Sequence, residues 1–246
     1  MEAFSYSNSP YPIRPDLISA YQDAWEKLAH AGTWWSGLDR VAIAEEVRNA
    51  RDCDFCARRK QALSPFAALE GVHHSTTHLA PEVVDVIHRL TTDPSRLTGA
   101  WVEELTSGAI SKGQYVEIIS VVVTTLCIDS FNQALGFELE PLPEPQPGEP
   151  SEYQPDGLET ETSWVPMIGT LAENEADLWP DDRSANVIRA MSLVPDAVRL
   201  LKSLSAAQYL EMQDVANPTA HGGRKISRAQ IEFIAARVSA INDCFY

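Results

Sequence analysis

The sequence predicts an all-α protein, and three observations predict it. Apolar residues recur at helical spacing along most of the chain, residues that start helices stand in front of those stripes, and no two alternating runs flank a hairpin turn. The β-branched run Val121–Val123 lies inside a longer helical pattern.

In chain order, Pro15 suits a first helical position, and Leu17, Ile18, Tyr21, Trp25 and Leu28 follow it as a stripe that Gly32 should close. Ser36 with Asp39 reads as a capping box for a helix through Val41, Ile43, Ala44 and Val47. Asp52 should cap a short helix, with Cys53 in its first turn and Cys56 one turn on. Pro81 should open a helix bearing Val83, Val84, Val86, Ile87 and Leu90, and Ser111 with Gln114 a long buried one running to Gly136. Six prolines between Pro141 and Pro155 favour extended backbone and read as a linker. Short helices are expected over Ala185–Leu193 and Asp196–Leu204, divided by Pro195, and a final one from Ser227. The domains expected are 1–139, a linker over 140–174, and 175–246.

Net charge of −16 over 246 residues argues against nucleic acid and anionic membrane surfaces as partners, because both select basic patches. The polar, proline-rich start lacks the apolar segment of an export signal, and the apolar run Ile118–Ile128 falls short of the roughly 20 residues of a membrane span. Four cysteines in such a chain point to reduced thiols and a cytoplasmic location.

The chemistry-bearing motif is Cys53-x-x-Cys56, followed by Arg58, Arg59 and Lys60. Its outline recurs at the other end, where Ser227 precedes Cys244 by the same 17 residues that separate Ser36 from Cys53. Aligning the cysteines pairs Asp52 with Asp243, Val47 with Val238 and Ala44 with Ala235, and sets Val41 against Glu232. A third, weaker copy sets Glu117 twelve residues before Asp129, with Asp129 and Asn132 in the cysteine places.

These residues resemble the alkyl hydroperoxidase D (AhpD)-like proteins of the carboxymuconolactone decarboxylase superfamily, whose signature is Glu-x11-Cys-x-x-Cys-x-x-x-His. Glu232 and Cys244 match its first two elements; Cys53 and Cys56 match the dithiol, with Val41 for the glutamate and Lys60 for the histidine. The resemblance implies an AhpD-like bundle of two related helical units that reduces peroxides without a cofactor. It further implies that Cys56 attacks, Cys53 resolves, and Glu232 and Cys244 are remnants of a second site. The expected partners are a peroxide, a dithiol reductant and further copies of the chain. In the front unit Arg58, Arg59 and Lys60 would supply the cationic field that stabilises a thiolate. The end at Phe245-Tyr246, one residue before the reactive position, also fits a UGA codon decoded as selenocysteine.

Other readings stand beside this one. Cys53 and Cys56 followed by His74-x3-His78 come near a zinc-finger spacing, which would make a zinc-stabilised binding module. A non-catalytic helical scaffold is a third. Cys127 reads as an inert core thiol, His88 as helix packing, and Glu117 needs a partner if buried.

Overall fold

Helix starts follow from local chemistry. Pro15 is the first residue of α1 (Pro15–Ala29) and Pro81 of α4 (Pro81–Thr92), where the missing N–H costs nothing and φ is already helical. Ser36, Ser111 and Ser227 close capping boxes with Asp39, Gln114 and Gln230, opening α2 (Gly37–Arg51), α6 (Lys112–Ala134) and α10 (Arg228–Ile241). The remaining helices are α3 (Asp54–Gln61), α5 (Gly99–Thr106), α7 (Asn186–Arg189), α8 (Pro195–Gln208) and α9 (Met212–Val215). The computed structural model describes residues 4–64, 70–160, 163–170, 173–179, 184–242 and 244. The fold is all-α, and its two-stranded pairing of Leu158–Glu159 with Met167–Ile168 is a small departure from a sequence that shows no hairpin.

Several boundaries differ from the sequence reading. Asp52 is the C-cap of α2, and Cys53 itself is the N-cap of α3, so the first thiol sits one step outside the helix. Helix α1 ends at Ala29, before Gly32. The two helices expected around Pro195 are both present, but α7 ends at Arg189 and Pro195 is itself the first residue of α8, as the N1 preference of proline allows. Helix α6 stops in a Schellman motif: Gly136 takes φ +74°, its N–H donates to the Gln133 carbonyl, and Phe137 N–H reaches back to Asn132.

Helix α2 lies against α1, α4 and α6, while α8 covers α1 and α6. The core runs from Tyr21, Trp25, Ile43, Ile87 and Ile118 to Leu178, Val198 and Leu204 beyond the proline-rich segment. That segment is pinned along its length. Gln146 N–H donates to Ala29, Ser151 to Gly32 and Glu152 to Thr33, and the Trp25 indole donates to the Pro141 carbonyl. Gly37 permits the crossing, since a Cβ there would fall 2.7 Å from the Gln146 carbonyl oxygen and closer still to that of Ala29.

By length and composition α6 could cross a membrane, although its longest unbroken apolar run is short. Here it is a core helix, and its two buried carboxylates are paired. Glu117 accepts from Arg40 at 2.8 Å and from the Trp34 amide at 2.6 Å; Asp129 is held by a two-pronged Arg48 at 2.8 and 3.0 Å. Burial pushes the Glu117 carboxyl above the usual carboxylate range, and Arg40 opposes that rise.

Replacing Arg40 with Met would leave Glu117 buried and unpaired, which costs about 3–5 kcal/mol near neutral pH. The folded chain then holds the Glu117 proton more tightly than the unfolded chain. Stability therefore falls as pH rises past the unfolded carboxyl pKa, and the penalty shrinks under mildly acidic conditions. Chemical denaturation of wild type and Arg40→Met across that range measures it.

Candidate active site: a buried dithiol between two imidazoles

Helix α2 ends at Arg51 with Asp52 as its C-cap and α3 begins at Asp54, and this sharp junction sets the Cys53 and Cys56 sulfurs side by side, within 4.8 Å. Both cysteines are buried, each about 2% exposed. Two histidines complete the cluster. His88, wholly buried on α4, turns Nδ1 to Cys56 Sγ at 3.3 Å; His73, on the loop before α4, turns Nδ1 to Cys56 Sγ at 3.4 Å and to Cys53 Sγ at 3.7 Å. The two rings meet edge to face with centroids 4.4 Å apart.

Each imidazole is fixed from behind by a carboxylate. His88 Nε2 lies 2.9 Å from Glu46 on α2, and His73 Nε2 lies 2.9 Å from Asp85 on α4. Glu46 is itself buried, and its other oxygen accepts the hydroxyls of Ser75 and Thr77, each at 2.7 Å. One carboxylate thus anchors both the ring on α4 and the loop that carries His73. Asp85 also pairs with Arg59 at 2.5 Å and Arg89 at 2.9 Å.

The electrostatics follow from this geometry. Burial pushes the Cys53 thiol up, but the amides of Cys56 and His74 and the His73 ring more than offset it and bring it down to about 6. Burial likewise opposes ionisation of Cys56, and the two rings overcome it and lower its pKa. His73 would lose its proton readily on burial alone; Asp85 and the two sulfurs instead raise it to about 10. His88 is raised too, by Cys56 and Glu46 acting against its burial. In the metal-free cluster the surroundings thus favour thiolate at both sulfurs and imidazolium at both rings.

The structure distributes the sequence-predicted residues unevenly. It brings Cys53 and Cys56 together. Arg59 reaches the cluster only through Asp85, Arg58 stacks over Phe55, and Lys60 is exposed, so the cations beside the thiols are His73 and His88. Glu232 lies on the exposed face of α10, bonded to Arg228 and to the Tyr209 hydroxyl, and Cys244 is exposed beyond the helix end. His78 pairs with Asp39, and His74 is exposed, with only its backbone amide facing Cys53. The two histidines of the zinc-finger spacing are therefore not the two that stand beside the dithiol. His88, read from sequence as packing, is a site residue, and Glu46 and Asp85 were missed. Their signal was present: Glu46 interrupts the apolar stripe of Ile43 and Val47, and His88 that of Val84 and Ile87, and a charge on a core stripe needs a partner.

The fold and site together define an all-α protein with a buried dithiol–diimidazole centre. The chain matches no protein-family model, and comparison with curated proteins and with solved structures gives no significant match.

Thiolate absorbance of the reduced, metal-free protein should persist well below the ordinary thiol range and fall away as pH drops through about 6. His73→Ala should move that midpoint upward, because the ring that stabilises both anions is gone. An unchanged midpoint would contradict the ion-paired cluster.

Proposed function

We propose that the cluster is a two-electron thiol redox centre of the alkylhydroperoxidase-like kind, which reduces a small peroxide by oxidising Cys53 and Cys56 to a disulfide. The observation that carries this reading is the chain Glu46–His88–Cys56, with Cys53 alongside: a carboxylate, an imidazole, a nucleophilic sulfur and a second thiol in hydrogen-bond sequence. The AhpD-like signature uses the same four kinds of group. Here Glu46 and His88 take the parts for which Val41 and Lys60 are unsuited.

In the reaction the Cys56 thiolate attacks the terminal peroxide oxygen and the O–O bond breaks. Cys56 becomes a sulfenic acid, and the departing alkoxide takes the His88 proton, leaving as an alcohol. Cys53 then attacks the Cys56 sulfur; a disulfide forms, and the expelled hydroxide leaves as water with one proton. The dithiol supplies both electrons, and an external dithiol returns them by exchange through a mixed disulfide. Glu46 holds the His88 ring with Nε2 turned away, so that Nδ1 faces the sulfur. Burial of both thiols favours a small peroxide that can pass the His73 loop.

Peroxide should therefore consume two thiols per chain, with Cys56→Ser abolishing the reaction. In Cys53→Ser, a sulfenic acid should accumulate at Cys56 and be trapped by a dione reagent. His88→Ala should slow oxidation about 10²–10⁴-fold, the usual worth of a positioned acid–base group. Thiols that stay unchanged under peroxide would end this reading.

A further inference from the structure

We infer that Cys53, Cys56, His73 and His88 form a tetrahedral site for one zinc ion, occupied when the dithiol is reduced. Their donor atoms all lie within 4.8 Å of one another, and three of the four sulfur–nitrogen separations are 3.3, 3.4 and 3.7 Å. Zinc sits about 2.3 Å from sulfur and about 2.0–2.1 Å from nitrogen, so the corners of its tetrahedron are about 3.3–3.8 Å apart. Those three contacts already have that length, and the remaining pairs, all within 4.8 Å, would close on the ion by at most about 1.5 Å.

The orientation of the rings is the second observation. Both histidines present Nδ1 to the sulfurs and give Nε2 to a carboxylate, His73 to Asp85 and His88 to Glu46. Zinc-bound histidines are held in this way, because a carboxylate behind the ring fixes its tautomer and raises the basicity of the ligating nitrogen. The lone pairs also outnumber the protons available to neutral groups. Cys56 faces two imidazole nitrogens and has one thiol proton to offer them. Zinc takes the place of the two protons that the ion-paired cluster otherwise needs, and with two thiolates it makes a neutral buried unit. Four protein donors and burial leave no open position, which is the form of a closed site.

A consequence rests on the redox reading above. Oxidation removes both thiolate ligands, so the zinc-bound dithiolate, one peroxide and two protons give a disulfide, an alcohol, water and free Zn²⁺. Zinc would then guard the dithiol at rest and leave as it is spent.

The test titrates the reduced, chelator-treated chain with Zn²⁺ against a chromophoric chelator, and with Co²⁺ alone. One ion per chain is expected, with a tetrahedral cobalt spectrum and thiolate-to-cobalt charge transfer that weakens in Cys53→Ser. Asp85→Asn should weaken zinc binding about 10–100-fold, and His88→Ala or His73→Ala should weaken it further. His74→Ala and His78→Ala should bind like wild type, while circular dichroism reports whether each variant folds. Absence of one-to-one binding, or dependence on His74 and His78 instead, overturns the site. Peroxide is then added to the loaded protein. Zinc released in step with thiol loss supports the whole account. Thiols oxidised in a chain that never bound zinc overturn the metal site alone. Zinc that stays bound, with thiols inert even after chelation, supports the site and overturns the redox reading.

Discussion

The pairing of Glu46 with His88 is the interaction on which the rest of the site depends. Both groups are fully buried where α2 packs on α4, and each gives the other a hydrogen-bonding partner there. Because Glu46 also takes the Ser75 and Thr77 hydroxyls, the same carboxylate fixes the loop that delivers His73. Thr76 ties that loop along α2 as well, its hydroxyl donating to Glu45 and accepting from the Asn49 amide. The helix interface and the reactive cluster are therefore one construction, and loosening the first would disperse the second.

Buried charge elsewhere follows the same rule. Glu117 and Asp129 of α6 meet Arg40 and Arg48 of α2, so α2 carries the groups that neutralise one neighbouring helix and the carboxylate that orients a ring of another. Asp85 repeats the theme on α4 by gathering Arg59, Arg89 and His73. Arg59 is thus a positioning residue: it acts on the thiols only by holding the carboxylate that holds His73.

Much of the fold was legible in the sequence because its determinants are local. Capping boxes at Ser36, Ser111 and Ser227 and prolines at 15 and 81 mark helix starts without help from tertiary structure. The dithiol was legible for the same reason. Its partners were not, because Glu46, His73 and His88 come to Cys56 across 10, 17 and 32 residues, and only the packing of α2 on α4 sets those distances. The family spacing pointed to positions 41 and 60 and the zinc-finger spacing to His74 and His78, and none of these side chains supplies a donor to the cluster. Reading α2 and α4 for charges on apolar stripes would have come closer than reading for motif spacing.

The most direct measurement is nitrogen-15 NMR of the imidazoles in the reduced protein, which reports the proton or ligand on each ring nitrogen. His73 and His88 should keep a proton on Nε2 across neutral pH, with Nδ1 shifted by the sulfurs or a bound metal. Both should stand apart from the other four histidines of the chain. A His88 that titrates like an ordinary exposed histidine, with no preference between its two nitrogens, would contradict the account.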